Sequence, residues 1–133
     1  MRIMIDTNVL FSSIVLNSPL LLQMVYDIVD NHTIVLSTHI IDELKRVTKR
    51  KFPDRYSAME KFLQELPFEL VYTPEQIDLS KYPDMEDKKN LPILVSAIIE
   101  NVDVLISGDT DFTKLNIDNP EIMLSRKFVE KYL

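Results

Sequence analysis

The sequence contains no cysteine and a single glycine. Without thiols, neither a disulfide framework nor a thiolate metal site can form. With one glycine, collagen-like repeats and many β-helices are excluded, because they need glycine at regular turns. The glycine-rich loops that cradle nucleotide phosphates are disfavoured for the same reason, and no nucleophile elbow of the G-x-S-x-G type is present. No apolar run approaches the roughly 18 residues that span a bilayer. The opening residues, Arg2-Ile3-Met4-Ile5, are strand-like and lack the three regions of a signal peptide. The expectation is a cytoplasmic protein with no membrane partner.

What is present is a chain of 133 residues, 46% of them apolar, enough for one domain spanning residues 1–133 with a core of its own. Net charge is −6. That balance argues against a sequence-independent nucleic-acid binder, whose affinity comes from basic contacts to phosphate. Carboxylates clustered to bind a divalent cation would produce the same balance. Composition does not choose between the two.

Along the chain, strand-like and helix-like segments alternate. Short apolar runs at 3–5, 33–36, 68–72, 102–107 and 120–124 read as strands. Helical spacing of apolar residues marks 20–29, the stretch holding Ile40, Leu44 and Val47, a stretch ending at Leu66, residues 91–100, and a last helix to about Tyr132. Ser18, Ser37 or Thr38, Asp54 and Ser125 are the expected caps. Residues 74–89 read as a polar loop with a turn of helix. Leu10, Phe11, Ile14, Val15 and Leu16 exceed the needs of a short loop and read as core or as a docking groove. Alternating elements imply an α/β fold: a three-layer sandwich with helices on both faces of a mostly parallel sheet.

In open α/β sheets, ligand sites gather at the carboxyl ends of the strands. Asp6 follows the first strand directly, and Asp109 follows the buried strand Val102 to Ser107 through Gly108. Both should lie on one rim. The only glycine, placed beside Asp109, suggests a backbone bend or a close approach. Glu43 borders the apolar face of its helix and can reach the same rim. Three converging carboxylates repel one another unless a hard cation such as Mg²⁺ sits among them. Taken alone, Asp6 and Asp109 read better as caps than as ligands, and Glu43 as a solvated helical residue; it is the joint placement of the two aspartates after apolar strands that favours a site. Asp111 reads as a further ligand or as a cap. Thr7 and Asn8 either bond the Asp6 carboxylate or complete a turn.

Three blocks resemble the PIN-domain family: Ile3-Met4-Ile5-Asp6-Thr7-Asn8-Val9-Leu10, the stretch Thr38 to Leu44 closing on Glu43, and Leu105-Ile106-Ser107-Gly108-Asp109-Thr110-Asp111-Phe112. The resemblance, and it alone, implies Mg²⁺- or Mn²⁺-dependent cleavage of RNA. It implies a catalytic set of Asp6, Glu43, Asp109 and position 90, metal ligation by Asp6, Glu43, Asp109 and Asp111, and auxiliary roles for Thr7, Asn8, Asp87 and Ser107. Small members, among them the VapC-like toxins of toxin–antitoxin pairs, are held inactive by a cognate antitoxin, and many form homodimers.

One position departs from the pattern. Where relatives carry a second aspartate before the apolar helix, this chain has Asn90 in Asp87-Lys88-Lys89-Asn90-Leu91-Pro92. Asparagine is a good N-cap but neutral, so it supplies no charge to a cation. Reduced cation affinity and reduced cleavage are expected, with Asp87 as a partial substitute and a non-catalytic RNA- or antitoxin-binding module as the alternative. Lys45, Arg46, Lys49 and Arg50 form a basic helix end that is either solvated or steers RNA. His32 reads as solvated in a turn. His39, one turn before Glu43, reads as a surface contact, with bordering the site as its alternative. A receiver-type phosphotransfer domain also clusters acids at strand ends, but Lys114 is a poor match for the lysine it needs.

Overall fold

The computed structural model describes residues 1–133. In chain order the elements are β1 (Arg2–Ile5), α1 (Thr7–Ile14), α2 (Pro19–Asn31), β2 (Thr33–Ser37), α3 (Thr38–Lys51) and α4 (Tyr56–Glu65). They continue with β3 (Glu69–Val71), α5 (Leu91–Ile99), β4 (Val104–Ile106), the single-turn α6 (Thr110–Thr113), β5 (Glu121–Met123) and α7 (Ser125–Tyr132). Short 3₁₀ turns lie at Pro53–Arg55, Leu79–Lys81 and Lys88–Asn90.

The five strands form one sheet in the order β3-β2-β1-β4-β5, and every pairing is parallel. Successive side chains of a strand point to opposite faces. Ile3, Met4 and Ile5 of β1 and Val104, Leu105 and Ile106 of β4 are all buried, so both faces of the sheet are covered. This is the expected α/β sandwich. Each of these buried aliphatic side chains contributes about 1.5–3 kcal/mol relative to exposure, which anchors firmly the two strands that lead into the site.

The strand order places that site. The chain moves outward from β1 to β2 to β3, then returns to the other side of β1 to lay down β4 and β5. The direction reverses between β1 and β4, which is where ligands bind in folds of this kind. There Ile5 is in register with Ile106, and the Asp6 N–H donates to the Ile106 carbonyl at 2.9 Å.

Several local expectations are corrected. The segment after Asp6 is a helix, not a loop. Asp6 caps it, and α1 packs against α2 and α3. Leu10, Phe11, Ile14 and Val15 are therefore core, and only Leu16 stays exposed. Ser37 caps α3 by accepting from the Ile40 N–H, as expected. Ser18 sits at the N-cap of α2 without a side-chain cap bond. Asp54 falls inside a 3₁₀ turn and caps nothing. Ser125 is the first residue of α7, whose N-cap is Leu124. His32 is not solvated: it is half-buried, meets the N-terminal amine at 3.2 Å and packs edge-on against buried Phe128.

Candidate functional site

Asp6 is 3% exposed, held where β1 ends and α1 begins. One carboxylate oxygen, Oδ1, accepts the Thr7 N–H at 2.7 Å, and Oδ2 accepts the Ser107 hydroxyl at 2.8 Å. Ser107 follows β4 and is fully buried. Its Oγ also accepts the Asp109 N–H at 3.1 Å, so one hydroxyl ties the two strand ends together. Burial pushes the Asp6 carboxyl up to about 6. The bonds from Ser107 and Thr7 work against that rise, and the negative charges of Glu43 and Asp109 add to it.

Asp109 caps α6: its Oδ1 accepts the Asp111 N–H at 2.9 Å. Its Oδ2 accepts Asn90 Nδ2 at 3.0 Å, and the same amide donates to Asp111 Oδ2 at 3.2 Å. Only the NH₂ side of an amide can face two carboxylates, so this orientation of Asn90 is chemically forced. Asn90 does occupy the N-cap of α5, but its side chain makes no cap bond. Its amide is committed to the two acids.

Asp111 is 6% exposed and neither a helix cap nor open to solvent. It accepts the N–H groups of Glu86 and Asp87 at 3.1 and 3.2 Å, which pins the polar loop to the site. Burial alone would raise its pKa. The bonds from Asn90, Asp87 and Glu86 outweigh that and hold it below the usual carboxylate range. Sequence reasoning did not foresee this anchoring role, because backbone donors in an irregular loop carry no pattern. The buried Met85 beside them is the one apolar signal that the loop folds back.

Glu43 projects from α3 with its side chain 20% exposed. His39 Nε2 and Arg46 Nη2 each stand 3.9 Å from its Oε2, beyond hydrogen-bonding distance. Half-buried His39 thus borders the site through Glu43. Asp87 is exposed, and its Oδ1 caps the Lys88–Asn90 turn through the Lys89 N–H at 2.9 Å.

The basic residues divide. Lys49 and Arg50 are exposed at the end of α3, and Arg46 leans on Glu43. Lys45 instead lines a groove with Ile41, Glu60, Leu63 and Phe68 that includes none of Asp6, Glu43, Asp109 and Asp111. Lys114 pairs with Glu86.

Two sequence readings fail here. Gly108 is not strained: its φ is not in the left-handed region, and an added Cβ would meet nothing within 4 Å. The fold does not require glycine there. No three acidic or histidine side chains stand close enough together to enclose one ion. The charges of Glu43 and Asp109 both bear on Asp6, but the Asp109 and Asp111 oxygens are shared with an amide. Thr7 Oγ1, next to Asp6, is buried with no hydrogen-bond partner.

No curated protein matches the chain. Among solved structures, VapBC2 from Rickettsia felis, determined bound to a DNA fragment from their promoter, contains a chain of the same fold. The TM-score is 0.72 over 93% of this chain and 98% of that one, at 18% identity. A family model for the PIN domain matches residues 2–111. That span holds β1, β4 and every acid gathered where they meet, and the chain belongs to the PIN-domain family, whose members are generally nucleases.

Proposed function

We propose that this chain is a metal-dependent endoribonuclease of the toxin class, with turnover attenuated by Asn90. One observation carries the reading: Asp6, Ser107 and Asp109 form a hydrogen-bonded chain where β1 and β4 diverge, with Glu43 adding its charge to Asp6.

The donor chemistry suits a hard divalent cation. The side chains are carboxylates, the most buried of them is raised to about 6 by burial and acidic neighbours, and a buried hydroxyl beside it lacks a partner. Asp6, Glu43 and Asp109 would hold Mg²⁺ or Mn²⁺ in part through water, since no three of the acids stand close enough to enclose the ion directly, with Asp111 behind them. When bound, such an ion supplies an activated water and offsets charge on the phosphoryl group. The chain's own residues do the positioning. Ser107 and the Thr7 N–H fix the Asp6 carboxylate, Asp111 fixes the loop that delivers Asn90, and exposed Lys49 and Arg50 steer RNA.

Asn90 is where the reading is tested. Its amide offsets the repulsion between Asp109 and Asp111, a task a cation would otherwise perform. Asn90→Asp removes that donor and restores a carboxylate. We expect tighter Mg²⁺ and Mn²⁺ binding by calorimetry and the appearance of RNA cleavage. If the substitution alters neither, the assignment of position 90 is wrong.

The same two bonds favour a second reading, in which the chain binds RNA or an antitoxin without turnover. Wild-type protein that binds RNA yet neither binds Mn²⁺ nor cleaves supports it. A cognate antitoxin is the proposed protein partner, because the similar solved structure is of VapBC2. A homodimer and a cytoplasmic location belong to the same proposal. No single helix is long and apolar enough to cross a membrane. Sedimentation of the chain alone and with its antitoxin tests the assembly.

A further inference from the structure

Gly108 is the only glycine in the chain, yet neither its backbone angles nor its neighbours require one. It is exposed and lines an open groove of about 390 Å³ together with Asn8, Ser12, Asp109 and Ser125 and the apolar Val9 and Leu21. That volume lies within the range of small-ligand pockets, about 300–1,000 Å³. The groove runs between the first turn of α1 and the start of α7 and opens onto Asp109. Its polar lining other than Asp109 is neutral: an amide and two hydroxyls. Such groups donate and accept without attracting or repelling charge, and they are suited to a ribose 2′-hydroxyl and its adjoining phosphate oxygens.

We infer that this groove takes one nucleotide of single-stranded RNA beside the phosphodiester at Asp109, and that the bare backbone of Gly108 gives the strand its passage. The inference rests on the nuclease reading and adds to it the path of the substrate. A side chain at position 108 would be harmless to the fold and would stand in the groove. Of the groove residues, Asp109 is the one tied by hydrogen bonds to the other acids, through Ser107 and Asn90.

The test is the affinity of a labelled single-stranded RNA, followed by fluorescence anisotropy in Mg²⁺, for wild type, Gly108→Val, Ser125→Glu and Gln64→Leu. Gly108→Val puts a branched side chain into the groove where the strand would pass, and we expect binding to weaken by roughly ten- to a hundredfold, the scale on which a steric clash in an occupied space acts. Ser125→Glu sets a negative charge against the phosphates and should also weaken binding. A glutamate in the first turn of α7 suits the helix dipole, so that variant guards against misfolding of the first. Gln64 lines the separate groove between α3 and α4, and its variant should bind as wild type does. Wild-type binding that survives unchanged in both Gly108→Val and Ser125→Glu overturns the inference and leaves the nuclease reading standing. Wild type that binds no RNA overturns both.

Discussion

At the amino ends of the strands, Arg2 of β1 forks onto Glu69 of β3, with Nη2 and Nε at 2.8 and 3.0 Å from the two carboxylate oxygens. The same guanidinium bonds the Glu100 carbonyl and lies 3.8 Å from the Glu100 carboxylate, while the Arg2 N–H donates to Asp103 at 2.7 Å. At the carboxyl ends, Asp6, Asp109 and Asp111 gather around one neutral amide and one hydroxyl, and the cations that bear on this end, Lys114 on Asp109 and Asp111 and Arg46 on Glu43, do so from exposed positions. Three acids at one end share an arginine. The acids at the other end repel. The difference shows at Asp6: the bond from Arg2 holds Glu69 below the ordinary carboxylate range, whereas burial raises Asp6, while Asp111 at the same end is held low by its hydrogen bonds. An end that keeps uncompensated buried charge, on a scaffold able to compensate it elsewhere, is the end where function is expected.

The largest test of this contrast is Asn90→Asp. It removes two hydrogen bonds to carboxylates and adds a like charge, and in chelator it should cost about 2–4 kcal/mol. Mg²⁺ or Mn²⁺ should return most of that loss. Urea denaturation with and without the ion measures both, and a stability indifferent to substitution and ion would mean that the amide offsets nothing.

Asp6→Asn comes next and should stabilise the protein. Its folded pKa of about 6 lies above its unfolded value near 3.8. The folded state therefore binds the proton more tightly, and stability from this group falls as pH rises from 4 through 6. At pH 7 the ionised form costs up to about 3 kcal/mol. Asparagine can still accept from the Thr7 N–H and donate to Ser107, so a gain of about 2–3 kcal/mol is expected at pH 7 and almost none at pH 4. Glu69 has the reverse sign: its contribution is present above its unfolded pKa and is lost as pH falls through the folded one. Stability measured against pH in chelator should show both trends. A wild-type curve without an Asp6-dependent decline above pH 5 would break the comparison.

At the opposite end, Arg2→Met keeps the apolar stem and removes the shared cation. The pair with Glu69 is half exposed but bidentate, so a loss of about 1–2 kcal/mol is expected at pH 7. An effect equal to that of a lone surface pair would mean the three acids are not held jointly.

The smallest effect belongs to Gly108→Ala. Because the added Cβ meets nothing, the substitution should raise stability by about 0.4–1 kcal/mol through the unfolded chain alone. A loss of stability would show that the fold needs glycine there.

Much of this protein was legible from one strand or helix at a time. β-branched runs and helical spacing marked every strand and most helices. Residues at the ends of parallel strands share a rim, so Asp6 and Asp109 could be placed together before any coordinates. α1 was hidden because its helical residues follow so closely on β1 that no polar break separates the two apolar stretches. The polar loop was legible only as a loop, since Asp111 holds it through backbone N–H groups that every residue but proline possesses.

Local periodicity determined the class of fold and the rim on which the acids stand, since both follow from repeats within a few residues. Tertiary structure decided the order of the strands, the grip of Arg2 on three acids, the bond from Ser107 to Asp6 and the turning of Asn90 toward Asp109 and Asp111. Those contacts join residues from 19 to 101 positions apart. They depend on which way the chain crosses over after β3, a choice made by the packing of the whole core that no single segment encodes.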